Sequence, residues 1–242
     1  MSPRHVVLVH GAWHGAWCWA ALQADLEQRG VASLAIDLPG HGSSTAAFTD
    51  LHGDASSVVE LLEQLASRGI HDPVLVGHSY GGAVITEAAT RHADNVSHLV
   101  YMTALALDKD EAVLPFVQSL PRVESPLGAA MRPSDDGAFT TIDPTKSEVA
   151  FYGECPKGTT EAANARLCAQ PVATFLQPVT GAAWRTIPST YIECTLDGAI
   201  PIEHQRAMSS RCTNVVTLET DHSPFTSKPA ETADVLERLA RA

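Results

Sequence analysis

The length, composition and charge of the chain describe a globular protein and exclude several other classes. It has 242 residues, of which 45% are hydrophobic and 18% are charged, so it can bury a large core and is not expected to be disordered. Its net charge is −12, and no cluster of basic residues interrupts the acidic excess. This balance argues against a nucleic-acid surface and against binding to anionic membranes.

The N-terminal residues and the cysteines bear on where the protein works. Only four strand-like apolar residues precede His10, which is too short for the core of a signal peptide, and no run approaches a membrane span. The five cysteines are odd in number and lack a C-x-x-C pair, so we interpret them as free thiols, although Cys155 and Cys168 could pair. These features predict a cytoplasmic protein.

Short apolar runs alternate with helical patterns along most of the chain. The runs are rich in β-branched residues, which is typical of strands buried on both faces of a parallel sheet. One helical stripe includes Val58, Leu62 and Leu65 and ends before Gly69, and a final helix begins near Pro229. The alternation predicts an α/β fold with an open, mostly parallel sheet and flanking helices. The predicted strands are residues 5–9, 32–36, 73–76, 98–103, 190–194 and 215–218.

The alternation stops between about residues 108 and 187. Prolines recur there among short apolar pieces that carry aromatic residues such as Phe151 and Trp184. So long an insertion in a compact domain is usually functional, and the aromatic residues argue against a disordered linker. We expect residues 108–187 to form a packed cap, or lid, within a single domain spanning residues 1–242.

Residues 77–82, Gly-His-Ser-Tyr-Gly-Gly, contain a G-x-S-x-G pattern between a predicted strand and a predicted helix. The pattern alone is a weak signal, but this context is what a nucleophile elbow requires. Glycines let the strand and the helix approach closely, and Ser79 would lie exposed at the N-terminus of the helix, where a developing negative charge is favoured. Ser79 is therefore the predicted nucleophile, and a turn without a catalytic role is the alternative.

A serine hydroxyl needs a base that takes its proton. With a nucleophile elbow, the acid and the histidine follow the serine in the chain, on loops after later strands. Two histidines lie beyond the cap. His204 falls in a predicted helix, residues 202–208, and is interpreted as a surface residue. His222 directly follows the last predicted strand and is the predicted base.

Asp197 is the predicted acid because it ends a strand and opens a turn on the loop where the chain order places it. It would hold the imidazole of the base in the required tautomer. Glu193 and Asp221 are less suitable, since the first lies within the strand and the second is adjacent to the base in sequence. Asp108 remains the alternative.

The tetrapeptide His-Gly-Ala-Trp occurs twice in residues 10–17, directly after the first predicted strand. Acyl transfer requires donors for the oxyanion of the tetrahedral intermediate. We predict that the N–H groups of Ala12 and Tyr80 supply them. Trp13 is a candidate wall of the substrate pocket, and a position in the core is the alternative.

The spacing of His10 and His14 is also compatible with a metal site on a helix. The preceding residues form a predicted strand, however, and the helix that follows is not expected to begin before His14. A third ligand is not evident nearby, so no metal is predicted. The second copy of the repeat is expected to open this helix, with Gly15 allowing close packing.

These motifs resemble the α/β-hydrolase superfamily and, within it, the branch of plant methylesterases and hydroxynitrile lyases. The resemblance runs through most of the chain and implies an α/β-hydrolase fold with a triad of Ser79, Asp197 and His222 and an oxyanion donor at Ala12. The oligomeric state stays open, although the branch often forms dimers and a homodimer is one candidate. The resemblance rests on residues 10–17, 37–42, 77–82, 195–197 and 221–222.

Three positions separate the two activities of that branch. The lyases carry threonine, glutamate and lysine at the positions of Gly11, His78 and Ser223, and this chain has the glycine and histidine of the esterases. The resemblance therefore implies a cofactor-free serine hydrolase of small carboxylic esters, such as methyl or aryl esters or lactones, that acts through an acyl-enzyme. A hydroxynitrile lyase and a receptor-like protein with little turnover stay open as alternatives.

Overall fold

The computed structural model describes residues 3–242 and is built on a sheet of six parallel strands in the order β2-β1-β3-β4-β8-β9. Each of the six predicted strands is present, with its ends shifted by no more than two residues, and the predicted α/β class is confirmed. A second sheet, β5-β6-β7, is antiparallel and belongs to the cap. The strands are β1 (Val6–Val9), β2 (Ser33–Ile36), β3 (Val74–His78), β4 (His98–Met102), β5 (Met131–Pro133), β6 (Phe139–Ile142), β7 (Gln170–Pro171), β8 (Ser189–Cys194) and β9 (Asn214–Leu218).

Helices connect the strands and cover both faces of the large sheet. The predicted amphipathic helix is α2; the Asp50 carboxylate accepts a hydrogen bond from the Gly53 N–H at its start, and Gly69 follows its end at φ 79°. The helices are α1 (Ala20–Gln28), α2 (Leu51–Ser67), α3 (Gly81–Arg91), α4 (Val113–Ser119), α5 (Pro126–Ala130), α6 (Thr159–Asn164), α7 (Ala173–Leu176), α8 (Ile202–Ser209), α9 (Pro224–Ser227) and α10 (Pro229–Arg241).

Two apolar cores lie on the two faces of the sheet because successive side chains of a strand point to opposite sides. Val7 and Val9 of β1 pack in the core beneath α2, α3 and the cap. Val6 and Leu8 pack in the other core with α1 and α10. All four valine and leucine side chains of β1 are fully buried, which explains the continuous apolar run in the sequence.

The cap leaves the sheet after β4 and returns to it before β8. Its two ends are tied together, since the Asp110 N–H donates to the Val179 carbonyl (3.0 Å) and the Val179 N–H donates to the Glu111 carbonyl (2.9 Å). Glu87 of α3 fastens the returning end: its buried carboxylate accepts a hydrogen bond from the Thr180 N–H (2.7 Å). The cap is therefore anchored to the core by a buried charged group.

His204 of α8 is not a surface residue, so that interpretation of the sequence was wrong. Its side chain lies mostly buried beneath the cap, and its Nε2–H donates to the Pro121 carbonyl at 2.8 Å. The helical pattern around it was interpreted correctly. The burial comes from a cap segment more than 80 residues earlier in the chain, which a local pattern does not reveal.

Two further observations concern the described part of the chain. None of the helices within residues 3–242 is both long and apolar enough to cross a membrane. The five cysteines are all free thiols, including Cys155 and Cys168, for which pairing was left open.

Glycines permit the close contact between β3 and α3 that forms the turn at Ser79. A Cβ atom on Gly77 would lie 2.4 Å from the Gly81 carbonyl oxygen and 2.8 Å from the Gly82 backbone nitrogen. Both distances are shorter than real contacts of a Cβ atom. The strand and the helix can approach this closely only because residue 77 carries no side chain.

We expect Gly77→Ala to lower the free energy of unfolding by about 3 kcal/mol, because the neighbouring backbone must shift to admit the methyl group. Gly128→Ala is the matched control, since Gly128 lies in α5 with nothing within 4 Å of the added Cβ. This control is expected to be neutral or to stabilise by less than about 1 kcal/mol. Urea unfolding of the two variants tests the prediction, and equal stabilities would contradict it.

Candidate active site

Ser79 lies in the turn between β3 and α3 with a left-handed backbone, φ 53°. A serine in this conformation is strained by about 1–3 kcal/mol and is held by its surroundings. Its carbonyl accepts hydrogen bonds from the N–H groups of Gly82 (3.0 Å) and Leu105 (3.0 Å), and its own N–H donates to the Met102 carbonyl (3.3 Å). The turn therefore presents the predicted nucleophile on a rigid backbone at the carboxyl edge of the sheet.

Asp197, after β8, and His222, after β9, form a buried pair. The His222 Nδ1–H donates to Asp197 Oδ2 at 2.7 Å, and the two side chains are 2% and 0% exposed. Since Nδ1 is committed to the carboxylate, Nε2 is the nitrogen left to act as a base. His78, which precedes the predicted nucleophile, has its ring 4.5 Å from that of His222. The base thus lies beside the elbow.

The Asp197 carboxylate is oriented by several donors besides the imidazole. Oδ1 accepts from the N–H groups of Ala199 (2.6 Å) and Ile200 (2.9 Å), and Oδ2 accepts from the Thr103 hydroxyl and from the Gln205 amide (3.4 Å). Hydrogen bonds from so many groups leave the carboxylate little freedom to rotate away from the imidazole.

The rival acids have other partners. Asp108 forms an ion pair with Arg185 at the surface, and the Glu193 carboxylate accepts from the Ser209 hydroxyl (2.7 Å). The Asp221 carboxylate accepts from a backbone N–H of the cap (2.9 Å) and from one of its own loop (3.0 Å). Asp197 is therefore the carboxylate that orients the predicted base.

The loop after β1 turns one of its N–H groups toward the elbow. The His10 Nδ1–H donates to the Gly11 carbonyl at 2.8 Å. In a trans peptide the C=O and the following N–H point in opposite directions, so this bond directs the Ala12 N–H away from the His10 ring. Ala12, Ser79 and Tyr80 line one cavity, and within residues 3–242 the Ala12 and Tyr80 N–H groups donate to no protein acceptor.

The two histidines of the repeat are neutral and structural. Burial lowers the pKa of His10 to about 3 and that of His14 to about 4. His10 Nε2 accepts from the Leu38 N–H (3.1 Å), while the His14 Nδ1–H donates to the Ala12 carbonyl (2.8 Å) and its Nε2 accepts from the Tyr152 hydroxyl (2.7 Å). All four ring nitrogens are thus engaged, and across residues 3–242 no group of three His, Cys, Asp or Glu side chains is arranged around a metal position.

The second copy of the repeat begins a short 3₁₀ helix, Ala16–Trp19, which leads into α1. The expectation that no helix starts before His14 is therefore confirmed. A Cβ on Gly15 would lie 2.8 Å from Asp37 Oδ1, so this glycine does allow close packing. The Trp19 side chain is fully buried in the core beneath α1.

The cap covers the acid–base pair with a single π-helical turn, Glu148–Tyr152. The Phe151 ring lies 5.6 Å from the His222 ring and 6.1 Å from Trp13, and the Val149 carbonyl contacts Gly198, beside the predicted acid. Such turns occur frequently at functional sites. This one covers one side of the imidazole and touches the loops that carry the acid, the base and the oxyanion donor.

A cavity of about 270 Å³ opens at Ser79 beneath the cap. Its polar lining within the described residues consists of Ser79, Tyr80, Ser125 and His204, and no Lys, Arg, Asp or Glu side chain contributes to it. Trp13 stands at the wall, where the sequence placed it as a candidate. The apolar lining includes Leu105, Val113, Val117, Leu127, Met131 and Phe175.

Sequence reasoning missed several residues that support the site. Thr103 could have been predicted, because it is the last residue of the predicted strand at residues 98–103. Functional residues of open parallel sheets lie at the carboxyl ends of the strands. Tyr152 and Phe151 carried no comparable signal, because nothing local in the cap indicates which aromatic side chain meets the loop after β1 or the base.

The buried neutral histidines make the protein sensitive to acid. The pKa values of His10, His14 and His78 are lowered by burial, so between pH 6.5 and 5 the unfolded chain binds protons that the folded protein does not. The free energy of unfolding should therefore fall with decreasing pH, by about 2 kcal/mol or more from pH 7 to pH 5. Urea unfolding between pH 7 and pH 5 measures this change in the free energy of unfolding. The interval lies above the pH range in which paired carboxylates titrate.

His14→Gln should reduce this pH dependence, because it removes one of the three rings. His71→Gln is the matched control, since His71 is exposed and should leave the dependence unchanged. A stability that does not vary between pH 7 and pH 5 would contradict the assignment of buried neutral imidazoles.

Comparison with known proteins agrees with this architecture. Methylesterase 1 of Arabidopsis thaliana is 29% identical over 256 residues, which cover 98% of this chain and 96% of that protein. The pyrethroid hydrolase of Sphingobium wenxiniae is 30% identical over 100% of this chain and 89% of its own length. A crystal structure of a pyrethroid hydrolase from Sphingobium faniae JZ-2 matches with a TM-score of 0.85 at 29% identity, over 99% of this chain and 98% of that chain.

The model of the alpha/beta hydrolase family matches residues 6–235. That range contains the large sheet, the cap, and the Ser79, Asp197 and His222 positions. Fold and sequence therefore agree over nearly the whole chain, and the chain belongs to the alpha/beta hydrolase family.

Proposed function

We propose that the protein is a cofactor-free serine hydrolase that cleaves small, uncharged carboxylic esters through an acyl-enzyme. The observation that carries this proposal is the buried pair of His222 and Asp197, 2.7 Å apart, next to the left-handed turn of Ser79. The N–H groups of Ala12 and Tyr80, two residues that line the same cavity as Ser79, lie beside this turn. Nucleophile, base, orienting acid and oxyanion donors are the parts that acyl transfer requires.

The reaction proceeds in two halves. The Ser79 hydroxyl attacks the ester carbonyl while His222 Nε2 takes its proton, and the Ala12 and Tyr80 N–H groups stabilise the oxyanion. The resulting imidazolium is stabilised by Asp197 and gives its proton to the departing alcohol, which leaves an acyl-serine. Water then attacks the acyl-serine with the imidazole as base, and collapse of the second intermediate releases the acid and the free hydroxyl.

The related proteins support ester hydrolysis. The relatives reported above are methylesterases and pyrethroid hydrolases by name, which confirms the class of enzyme predicted from the sequence, a carboxylic ester hydrolase. The serine mechanism and the choice of substrate are our proposal for this chain.

The cavity supports an uncharged, apolar substrate. Its walls are mostly aliphatic and aromatic, and no ionised carboxylate, ammonium or guanidinium group lines it within the described residues. A charged group on the enclosed part of the substrate would lose its hydration without gaining a partner. A volume of about 270 Å³ suits one short acyl or aryl group.

Cleavage of a cyanohydrin receives less support. A Cβ on Gly11 would lie 2.8 Å from the Ser79 Cβ and 2.9 Å from His78 Nδ1, so a threonine there requires another neighbour at position 78. The Ser223 side chain is fully buried without a hydrogen-bond partner and supplies no cation for cyanide. Hydrolysis is therefore the function we propose.

Ser79→Ala should lower kcat for a p-nitrophenyl ester by at least about 1,000-fold and abolish labelling by a fluorophosphonate probe, since the nucleophile is removed. Ser125→Ala is the matched control because Ser125 lines the same cavity away from the turn. It should keep both activity and labelling. A wild-type protein with neither turnover nor labelling would contradict the hydrolase, as would equal activity in Ser79→Ala.

The uncharged cavity should make the enzyme discriminate against charge in the enclosed group. We expect a p-nitrophenyl ester with a free terminal carboxylate to show a kcat/KM about 100-fold lower than its methyl-capped counterpart of the same chain length. A second pair places the carboxylate on the alcohol side. In at least one of the two pairs, the charged ester should show this loss in kcat/KM. If the kcat/KM values of the charged and capped esters differ by less than threefold in both pairs, the proposed substrate class is contradicted.

We also propose that the protein acts in a reducing compartment, in agreement with the cytoplasm predicted from the sequence. Five free thiols, two of them buried, support this proposal. Disulfides are favoured in oxidising compartments, where several accessible thiols are rarely left unpaired.

A further inference from the structure

Trp13, directly after the proposed oxyanion donor, adopts a left-handed backbone with φ 63°. A bulky residue keeps this conformation only where its surroundings hold it. The cap supplies every partner of its polar groups. Its N–H donates to Gln170 Oε1 (3.2 Å), its carbonyl accepts from the Cys168 N–H (3.0 Å), and its indole N–H donates to Thr140 Oγ1 (3.1 Å). The conformation of the loop after β1 is thus determined by the cap.

Gln170 of β7 is the central member of this group and is fully buried. Its Oε1 also accepts from His41 Nε2 (2.9 Å), and its Nε2 donates to the Thr174 hydroxyl (2.9 Å), which itself donates to the Pro171 carbonyl (2.6 Å). Rotating the amide by 180° would place its NH₂ group against the Trp13 N–H. The hydrogen bonds therefore assign the orientation of the amide.

His41 supports Gln170 from the side opposite the cap. Its Nε2 lies 2.9 Å from Gln170 Oε1, its Nδ1 lies 2.9 Å from the Pro39 carbonyl oxygen, and its side chain is 1% exposed. His41 therefore joins the amide of Gln170 to the segment that follows β2.

We propose that Gln170, supported by His41, is a positioning residue for the oxyanion hole. The Ala12–Trp13 peptide plane is held at its carbonyl by His14 and at its N–H by Gln170, and it is adjacent to the plane that carries the Ala12 N–H. Loss of the Gln170 amide releases the left-handed Trp13 and so misdirects the donor. The inference rests on the proposed function.

Gln170→Leu should lower kcat by about 10- to 100-fold, since an oxyanion donor is misplaced. KM should rise less than kcat falls, because Gln170 does not line the cavity itself and acts on it only through Trp13 at one wall. Gln170→Glu should keep kcat within about fivefold, because a carboxylate oxygen accepts from the Trp13 N–H as the amide oxygen does.

Gln177→Leu is the matched control. Gln177 is another cap glutamine with two hydrogen bonds, from the His52 N–H (3.0 Å) and to Asp50 (3.2 Å), but these partners belong to the start of α2 and not to the loop after β1. Gln177→Leu should leave kcat and KM unchanged. Circular dichroism of each variant establishes the folded fraction, and a fall in kcat only in proportion to that fraction overturns the proposal.

Two outcomes separate this inference from the proposed function. If the wild type hydrolyses esters through Ser79 while Gln170→Leu keeps its kcat, the positioning role is overturned and the proposed function stands. A wild type without ester turnover overturns both.

Discussion

The close approach of two backbones, the loop after β1 and the turn after β3, is the constraint on which the site depends. A Cβ on Gly81 would lie 2.6 Å from the carbonyl oxygens of Val9 and His10. A Cβ on Gly11 would lie 2.8 Å from the Cβ atom of Ser79. Only glycines allow this approach. Because adjacent parallel strands carry the two segments, the proposed nucleophile and its oxyanion donors meet at the same edge of the sheet.

The buried polar groups around this contact are of two kinds, neutral histidines and carboxylates. His10 and His14 are held neutral, and each uses one N–H to hold a backbone carbonyl, so they orient peptide planes without adding charge. Two buried carboxylates have polar partners close by: Asp197 faces the predicted base, and Asp54 accepts a hydrogen bond from the Tyr80 hydroxyl at 2.7 Å. A buried polar network of this kind is stable only when its members are satisfied.

Much of the fold and the spacing of the site could be predicted, because both follow from local patterns. Buried parallel strands appear as short apolar runs, and the chain order of serine, acid and histidine led to Ser79, Asp197 and His222, which the structure brings to one edge. His204 was misplaced for the opposite reason, since its burial depends on Pro121 of the cap. The resemblance to methylesterases, stated from the motifs, agrees with the relatives found.

Local patterns in the sequence were enough to predict the succession of strands, the glycine turn and the residue types of an acyl-transfer site, because these depend on neighbours within a few residues. The cap residues that complete the site became apparent only in the folded chain. Phe151 on the base, Tyr152 on His14 and Gln170 on Trp13 are contacts between segments more than 70 residues apart. Their pairing depends on how the cap folds back over the sheet, and no local pattern encodes that geometry.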